Sequence, residues 1–143
     1  MKILFLDVDG VLNSALDGFS FTISTDKHLD ILKTIINITD AKIVVSSAWR
    51  ISTSGRETLS RRLNDFGMTV YGYTPISREC GVPRGKEILQ FLEKEKEPVE
   101  SFVIVDDEAD MLDLKYTNLV QTDPWIGLTE TDAKKIIEIL NGD

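Results

Sequence analysis

Short apolar runs separated by helical patterns make up most of this chain. Three segments, 26–39, 84–96 and 130–141, carry apolar residues at the spacing of a helix face. The apolar runs read as five strands, at 2–7, 41–47, about 68–74, 101–107 and, more weakly, 118–122. Nearly continuous apolar strands that alternate with helices are typical of a parallel sheet covered on both faces. The pattern therefore predicts an α/β fold with a doubly wound parallel sheet.

Residues typical of helix starts support the predicted alternation of strands and helices. Ser24, Thr25 and Asp26 are candidate N-caps for the first helix, and Thr129 is the candidate for the last. The charged stretch 93–100 contains Pro98, which favours a helix end. No repeat or low-complexity linker interrupts the order of elements, so we expect one domain over 1–143.

Composition narrows the class of protein. The chain has 143 residues, of which 42% are hydrophobic, enough for one domain with a core. No apolar run is long enough to span a bilayer, and the first residues do not resemble a signal peptide. Cys80 is the only cysteine, so an internal disulfide is impossible. These features favour a soluble cytoplasmic protein with no membrane partner.

The only histidine, His28, limits the possible chemistry. A serine or cysteine hydrolase with a histidine base would have to use this residue. Its place within the first helical pattern instead predicts a surface helix residue.

Charge is unevenly distributed. The net charge of −8 disfavours indiscriminate binding to nucleic acid or anionic membranes, so we expect no stable nucleic-acid complex. All six arginines nevertheless fall within 50–86, a segment whose net charge is +4. Because arginine suits bidentate capture of phosphate or carboxylate, this segment is a candidate for binding an anionic ligand. For Arg61 and Arg62, a solvated helix face is an equal alternative.

Polar residues follow three of the predicted strands. They are Asp7 and Asp9 after the first, Ser46 and Ser47 after the second, and Asp106 and Asp107 after the fourth. In a parallel sheet the carboxyl ends of the strands meet at one edge, where ligands bind. Carboxylates gathered there repel one another unless a cation lies between them. A ligand set made only of oxygen suits Mg²⁺.

Four segments in order carry a family resemblance: "LDVDGVLN", "VVSSAWR", "RGKEIL" and "IVDDEADM". They resemble the four motifs of the haloacid dehalogenase-like (HAD) phosphohydrolase superfamily. The string from "SSAWR" through "GYTP" to "VDDEADM" is further similar to HAD domains of RNA-repair proteins. The resemblance implies a HAD-like Rossmannoid fold and a phosphatase, that is, a phosphoric monoester hydrolase that uses Mg²⁺.

The resemblance also implies roles for three strand-end residues. Asp7 would attack phosphorus and form an aspartyl-phosphate. Asp9 would protonate the leaving oxygen and later activate water, and its backbone carbonyl would bind the metal. Ser46 would hydrogen-bond a phosphoryl oxygen, although capping of the next helix is an alternative for this residue.

By the same resemblance, Arg84 would balance the negative charge of the nucleophile and the phosphate. The family more often has lysine there, so Lys86 is a rival for this role. Asp107 would bind Mg²⁺ directly, and Asp106 would bind it through water or act as a hydrogen-bond partner. Asp110 is a supporting candidate, or else a helix-start residue.

Three residues after the second strand are candidates for substrate binding, each with an alternative. Ser47 is equally a helix cap, Trp49 a packing residue and Arg50 a surface charge. Phe19 and Phe21 occupy the position where HAD enzymes carry a small flap or cap, but they also suit core packing.

Neither interval that could hold a HAD cap domain has room for one, so we expect a single domain without a large cap. An open site admits bulky phosphorylated substrates, such as a nucleotide or the end of a polynucleotide, and Trp49 or Tyr73 could stack on a base. The alternatives are a small-metabolite phosphatase or nucleotidase and a non-catalytic phosphate-binding regulatory module. A receiver domain, which stores a phosphoryl group on a strand-end aspartate, is a further relative to exclude.

Overall fold

A five-stranded parallel sheet forms the centre of the molecule. The computed structural model describes residues 1–16 and 24–142. Its strands lie in the order β3-β2-β1-β4-β5, and every neighbouring pair is parallel. The strands are β1 Lys2–Leu6, β2 Lys42–Val45, β3 Val70–Tyr73, β4 Ser101–Asp106 and β5 Leu119–Gln121. The predicted α/β fold class is therefore confirmed.

Four helices connect and cover these strands. They are α1 Asp26–Thr39, α2 Thr53–Asp65, α3 Arg84–Lys94 and α4 Glu130–Asn141, with short 3₁₀ helices at Ala48–Arg50 and Leu112–Tyr116. Thr129 caps α4 as predicted, through a reciprocal pair of hydrogen bonds with Asp132. Thr25 is the N-cap residue of α1, but its side chain accepts no capping hydrogen bond.

The sheet is covered on both faces because successive strand residues point to opposite sides. Leu4, Leu6 and Val45 pack on one side with residues of α1, α2 and α4. Phe5 packs on the other side with Ile88 of α3. The first three strands run from the centre of the sheet to one edge, and β4 then pairs with the other side of β1. The connection from β3 to β4 therefore runs back across the sheet, and its helix α3 covers the second face, as right-handed connections require.

Within the described ranges, the connections next to β2 are short. Between β1 and β2 the only helix is α1, and between β2 and β3 there are only α2 and one 3₁₀ helix. The expected flap residues, Phe19 and Phe21, lie outside the described residues. None of the helices described is both long and apolar enough to cross a bilayer.

The prediction for His28 is wrong. Its side chain is fully buried on α1, and its ring nitrogens contact the Thr25 hydroxyl and the Ile126 carbonyl oxygen. Because Gly127 lies directly against the ring, the histidine joins the start of α1 to the loop after β5. The helical pattern around His28 could not predict this contact, because the loop after β5 is remote in sequence.

Candidate active site

One row of side chains crosses the carboxyl edge of the sheet on the α3 face. Backbone hydrogen bonds continue the strand ladder beyond β1, β2 and β3, because the N–H groups of Asp7, Ser46 and Thr74 donate to strand carbonyls at 3.0 Å. Each of these residues comes two positions after one that faces α3, so side-chain alternation points it to the same side. Asp106 completes the row at the end of β4.

Of the four carboxylates that the strand-end pattern predicted to converge, three meet at this edge. Asp7, Asp106 and Asp107 each offer an oxygen that lies within 4.8 Å of the other two. Asp7 and Asp106 are buried, whereas Asp107 is partly exposed. The group is therefore open to ligands mainly on the side of Asp107.

Arg84, at the start of α3, joins two of these carboxylates. Its Nη1 lies 3.1 Å from Asp7 Oδ1 and 2.7 Å from Asp106 Oδ2. The second oxygen of Asp106 accepts the backbone N–H of Glu108 at 2.9 Å. Lys86 is exposed one half-turn further along the helix. Of the two rivals, the structure brings Arg84 to the carboxylates.

Burial and mutual repulsion make this cluster electrostatically strained. Burial, helped by the charge of Asp106, raises the pKa of Asp7 to about 8 against the opposing effect of Arg84. Burial likewise raises the pKa of Asp106 to about 6. Burial lowers the pKa of Arg84, but the two carboxylates outweigh that effect and raise it above its usual value. One guanidinium therefore leaves the three carboxylates short of positive charge.

Gly10 allows the loop after β1 to approach Asp107. It has a φ of +81°, and a Cβ at this position would lie 2.6 Å from Asp107 Oδ2. The Gly10 carbonyl accepts the hydroxyl of Thr122 at 2.7 Å, which ties the loop to the end of β5. A residue with a side chain would separate the two acidic motifs or strain the loop.

Asp9 lies beside the cluster, with its carboxylate held on both oxygens. Asn13 Nδ2 donates to Oδ1 at 2.9 Å, and Trp49 Nε1 donates to Oδ2 at 3.2 Å. The side-chain oxygen of Asn13 accepts the backbone N–H of Gly10, which fixes the orientation of the amide. Sequence reasoning missed Asn13, whose only signal was a polar residue at the end of an apolar run.

Ser46 and Thr74 are neighbours in the row, and both hydroxyl oxygens are buried without a hydrogen-bond partner. Such groups are uncommon inside folded proteins, and each needs an explanation such as a catalytic role or a bound water or ion. Ser46 was predicted as a site residue. Thr74 was not, because a single threonine at the end of the predicted third strand carries no chemical signal of its own.

Ser47 and Trp49 have structural contacts of their own. Ser47 Oγ accepts the Trp49 backbone N–H at 3.1 Å, which caps the short helix Ala48–Arg50. Trp49 is half-buried and packs against the core on the α1 side of the sheet. Both residues therefore support the loop that follows β2.

Arg50 is buried, so the surface-charge alternative is wrong. A guanidinium has five N–H groups, and each of these has an acceptor within the protein. The acceptors are the carbonyl oxygens of Ser46, Ser47, Thr74 and Pro75 and the carboxylate of Glu87. Arg50 thus joins the ends of β2 and β3 to helix α3.

Other arginines of the positive segment also bond within the protein. Arg62 pairs with Asp26 at 2.8 Å, and Arg56 donates to the Arg50 carbonyl at 2.8 Å. Arg61 and Arg78 are exposed. Asp110 lies at the start of α3, where its carboxylate accepts the Arg84 backbone N–H at 3.4 Å.

The parallel sheet, the Asp-x-Asp sequence after β1 and the Asp-Asp pair at the end of β4 define a HAD-like α/β domain. The chain belongs to the family described as "HAD domain in Swiss Army Knife RNA repair proteins", whose family model matches residues 3–133. This membership suggests phosphohydrolase activity. No curated protein matches the chain.

Proposed function

We propose that this protein is a magnesium-dependent phosphomonoesterase that forms an aspartyl-phosphate on Asp7. The observation that carries the proposal is the meeting of Asp7, Asp106 and Asp107 with Arg84 at one sheet edge. A nucleophile, a counter-charge and a set of oxygen ligands are then within reach of one phosphoryl group.

The donor set fits Mg²⁺. The ligand atoms are all oxygen, and three carboxylates face the single guanidinium of Arg84. Asp107 and Asp7 would hold the ion, together with the backbone carbonyl of Asp9, while Asp106 stays paired with Arg84 and contributes through water. When bound, Mg²⁺ would supply charge neutralisation at the transferring phosphoryl group.

In the first step, a carboxylate oxygen of Asp7 attacks phosphorus and the bond from phosphorus to the ester oxygen breaks. The proton of the Asp9 carboxyl group passes to that oxygen, so the product alcohol leaves neutral. Ser46 donates its free hydroxyl to a phosphoryl oxygen, and Arg84 stabilises the negative charge.

In the second step, the Asp9 carboxylate takes a proton from water as the water attacks the phosphoryl group. The bond between phosphorus and Asp7 breaks, which releases inorganic phosphate and restores both carboxyl groups. An acid/base residue at this position favours turnover over storage of the phosphoryl group.

Phosphorylated nucleotide or polynucleotide ends are the proposed substrates. The family description names RNA repair proteins, and within the described ranges no inserted domain covers the Asp9 side of the sheet edge. The arginine-rich segment supports this choice less than its composition suggested, because Arg50, Arg56, Arg62 and Arg84 bond within the protein.

The first test is phosphate release from 4-nitrophenyl phosphate, which avoids the need to know the natural substrate. We expect wild-type release that requires Mg²⁺ and is abolished in Asp7→Asn, because the amide is not a nucleophile. A cooperative thermal unfolding transition in Asp7→Asn would show that the variant is folded. Release by Asp7→Asn at the wild-type rate would refute Asp7 as the nucleophile.

A further inference from the structure

The carboxylate of Asp9 is held by two neutral donors from different parts of the chain. Asn13 comes from the loop after β1, and Trp49 comes from the short helix after β2. An indole N–H can only donate, and the Asn13 amide is oriented by Gly10, so both Asp9 oxygens act as acceptors.

The two contacts are not equivalent. Asn13 is buried and its hydrogen bond to Oδ1 measures 2.9 Å, whereas Trp49 is half-buried and its hydrogen bond to Oδ2 measures 3.2 Å. Oδ1 is thus the anchored oxygen. Oδ2 is the oxygen that can exchange its partner.

The side of Asp9 next to Trp49 is also the side with space for a ligand. An open depression of about 320 Å³ is lined by Asp9, Ala48, Trp49 and Ser52. A leaving group that occupied this depression would therefore contact Asp9 on the side of Trp49.

We propose that Trp49 is a positioning residue for Asp9, holding Oδ2 toward the leaving group while Asn13 anchors Oδ1. The inference rests on the proposed function, in which Asp9 is the acid/base. As the proton moves from Oδ2 to the leaving oxygen and the ester bond breaks, Oδ2 becomes a carboxylate oxygen. The Trp49 N–H then donates to it and stabilises the carboxylate that the step forms.

This role predicts a dependence on the leaving group. 4-Nitrophenolate leaves readily without a proton, whereas an alkoxide requires protonation. Trp49→Phe keeps the ring and removes the donor. We expect kcat/KM to fall about tenfold more for an alkyl phosphate than for 4-nitrophenyl phosphate, a part of the usual general-acid contribution.

Trp125→Phe is the matched control, because Trp125 is the second of the two tryptophans and is exposed in the loop after β5. It should leave both esters unaffected. A merely structural role for Trp49 would lower kcat/KM for both esters by the same factor, and that result overturns the proposal.

A measurement without turnover tests the contact itself. The indole N–H resonance of Trp49, assigned by its loss in Trp49→Phe, should move upfield and exchange faster with solvent in Asp9→Ala. The Trp125 resonance should stay in place. An unmoved Trp49 resonance contradicts the hydrogen bond and overturns the proposal.

The two proposals fail in different ways. Release that depends on Asp7, with the same leaving-group dependence in wild type and Trp49→Phe, removes the positioning role and leaves the phosphatase function standing. No release from any ester by wild type removes the phosphatase function, and the role of Trp49 falls with it.

Discussion

Asp7 combines two properties that oppose each other. In the proposed reaction it must be charged to attack phosphorus, yet it is buried beside a second carboxylate, and this raises its pKa to about 8. Arg84 lies beside it but also pairs with Asp106, so the proposed reaction needs a second cation to keep Asp7 charged. The metal requirement of the proposed reaction is therefore a consequence of where the strand end places Asp7.

The raised pKa predicts how stability depends on pH without metal. Between about pH 4 and pH 8, the folded protein keeps a proton on Asp7 that the unfolded chain has lost. Its contribution to the free energy of unfolding is therefore greatest at low pH and falls as pH rises toward 8. Asp7→Asn should melt several degrees above wild type at pH 8 and close to it near pH 4, measured in a chelator.

Excess Mg²⁺ supplies the control for this experiment. Binding to the charged carboxylates should raise the melting temperature of wild type at pH 8 and narrow its difference from Asp7→Asn. A difference that stays constant from pH 4 to pH 8 in chelator would contradict the assignment of a raised pKa to Asp7.

The unpartnered hydroxyls of Ser46 and Thr74 predict an unusual response to mutation. Thr74→Val and Ser46→Ala each remove a buried polar atom that has no partner, so neither should lower the free energy of unfolding. Thr39 offers a matched control, because its buried hydroxyl donates to Ile35 at 2.8 Å. Thr39→Val should cost about 1 kcal/mol in urea unfolding.

In Ser46→Ala, activity and stability should respond differently. Ser46→Ala is expected to lower phosphate release about 100-fold while remaining fully folded, since it removes a donor to the charged phosphoryl oxygen. If Ser46→Ala unfolds more easily than wild type, its hydroxyl has a partner in the free protein and the interpretation fails.

Helix α3 is held in place by the buried pair of Arg50 and Glu87, whose charged atoms lie 3.0 Å apart. Their side chains are 5% and 13% exposed, so water screens the pair little. The same helix begins with Arg84. The distance between Arg84 and the carboxylates is therefore set partly by a contact one turn further along α3.

Breaking this pair should be costly. Arg50→Met leaves Glu87 largely buried without its charged partner and frees four carbonyl oxygens, so we expect a loss of about 3–5 kcal/mol in chemical unfolding. Arg61→Met, at an exposed position nearby, should change stability by less than about 0.5 kcal/mol. Equal effects of both substitutions would contradict the structural role of Arg50.

The five strands were predictable because they are short apolar runs, and three of the helices because apolar residues recur along them at helical spacing. Helix α2 was indicated only by the helix-face alternative for Arg61 and Arg62, since few apolar residues mark its face. The burial of His28 and Arg50 could not be predicted from local pattern, because contacts that hold them lie on elements distant in sequence. The carboxylates were predictable because parallel strands bring their carboxyl ends together.

The molecule as a whole has a net charge of −8, and its candidate site lies at the carboxyl edge of the sheet. In the described ranges next to β2, no inserted domain covers this edge. An open edge accepts a phosphate at the end of a long chain, whereas the acidic surface repels the rest of a polyanion. Recognition should therefore centre on the terminal phosphate and a few adjoining groups.

The open sheet edge and the net negative charge together predict a substrate preference. We expect kcat/KM for a short oligonucleotide with a terminal phosphate to equal or exceed that for the matching nucleoside monophosphate, measured by phosphate release. Lengthening the oligonucleotide beyond a few nucleotides should bring no further gain. A preference of more than tenfold for the mononucleotide or for a sugar phosphate would favour a small-metabolite phosphatase instead.

Strand β1 lies between β2 and β4, and its Lys2 pairs with Ser101. During synthesis, the edge of this apolar strand that pairs with β4 therefore has no partner until β4 leaves the ribosome. Such edges are prone to pair with other chains, so this interval is when the nascent protein is most exposed to aggregation and most in need of chaperones. The carboxylates of β1 and β4 come together only at the end of the same interval, so no early folding intermediate can bind metal through both acidic motifs.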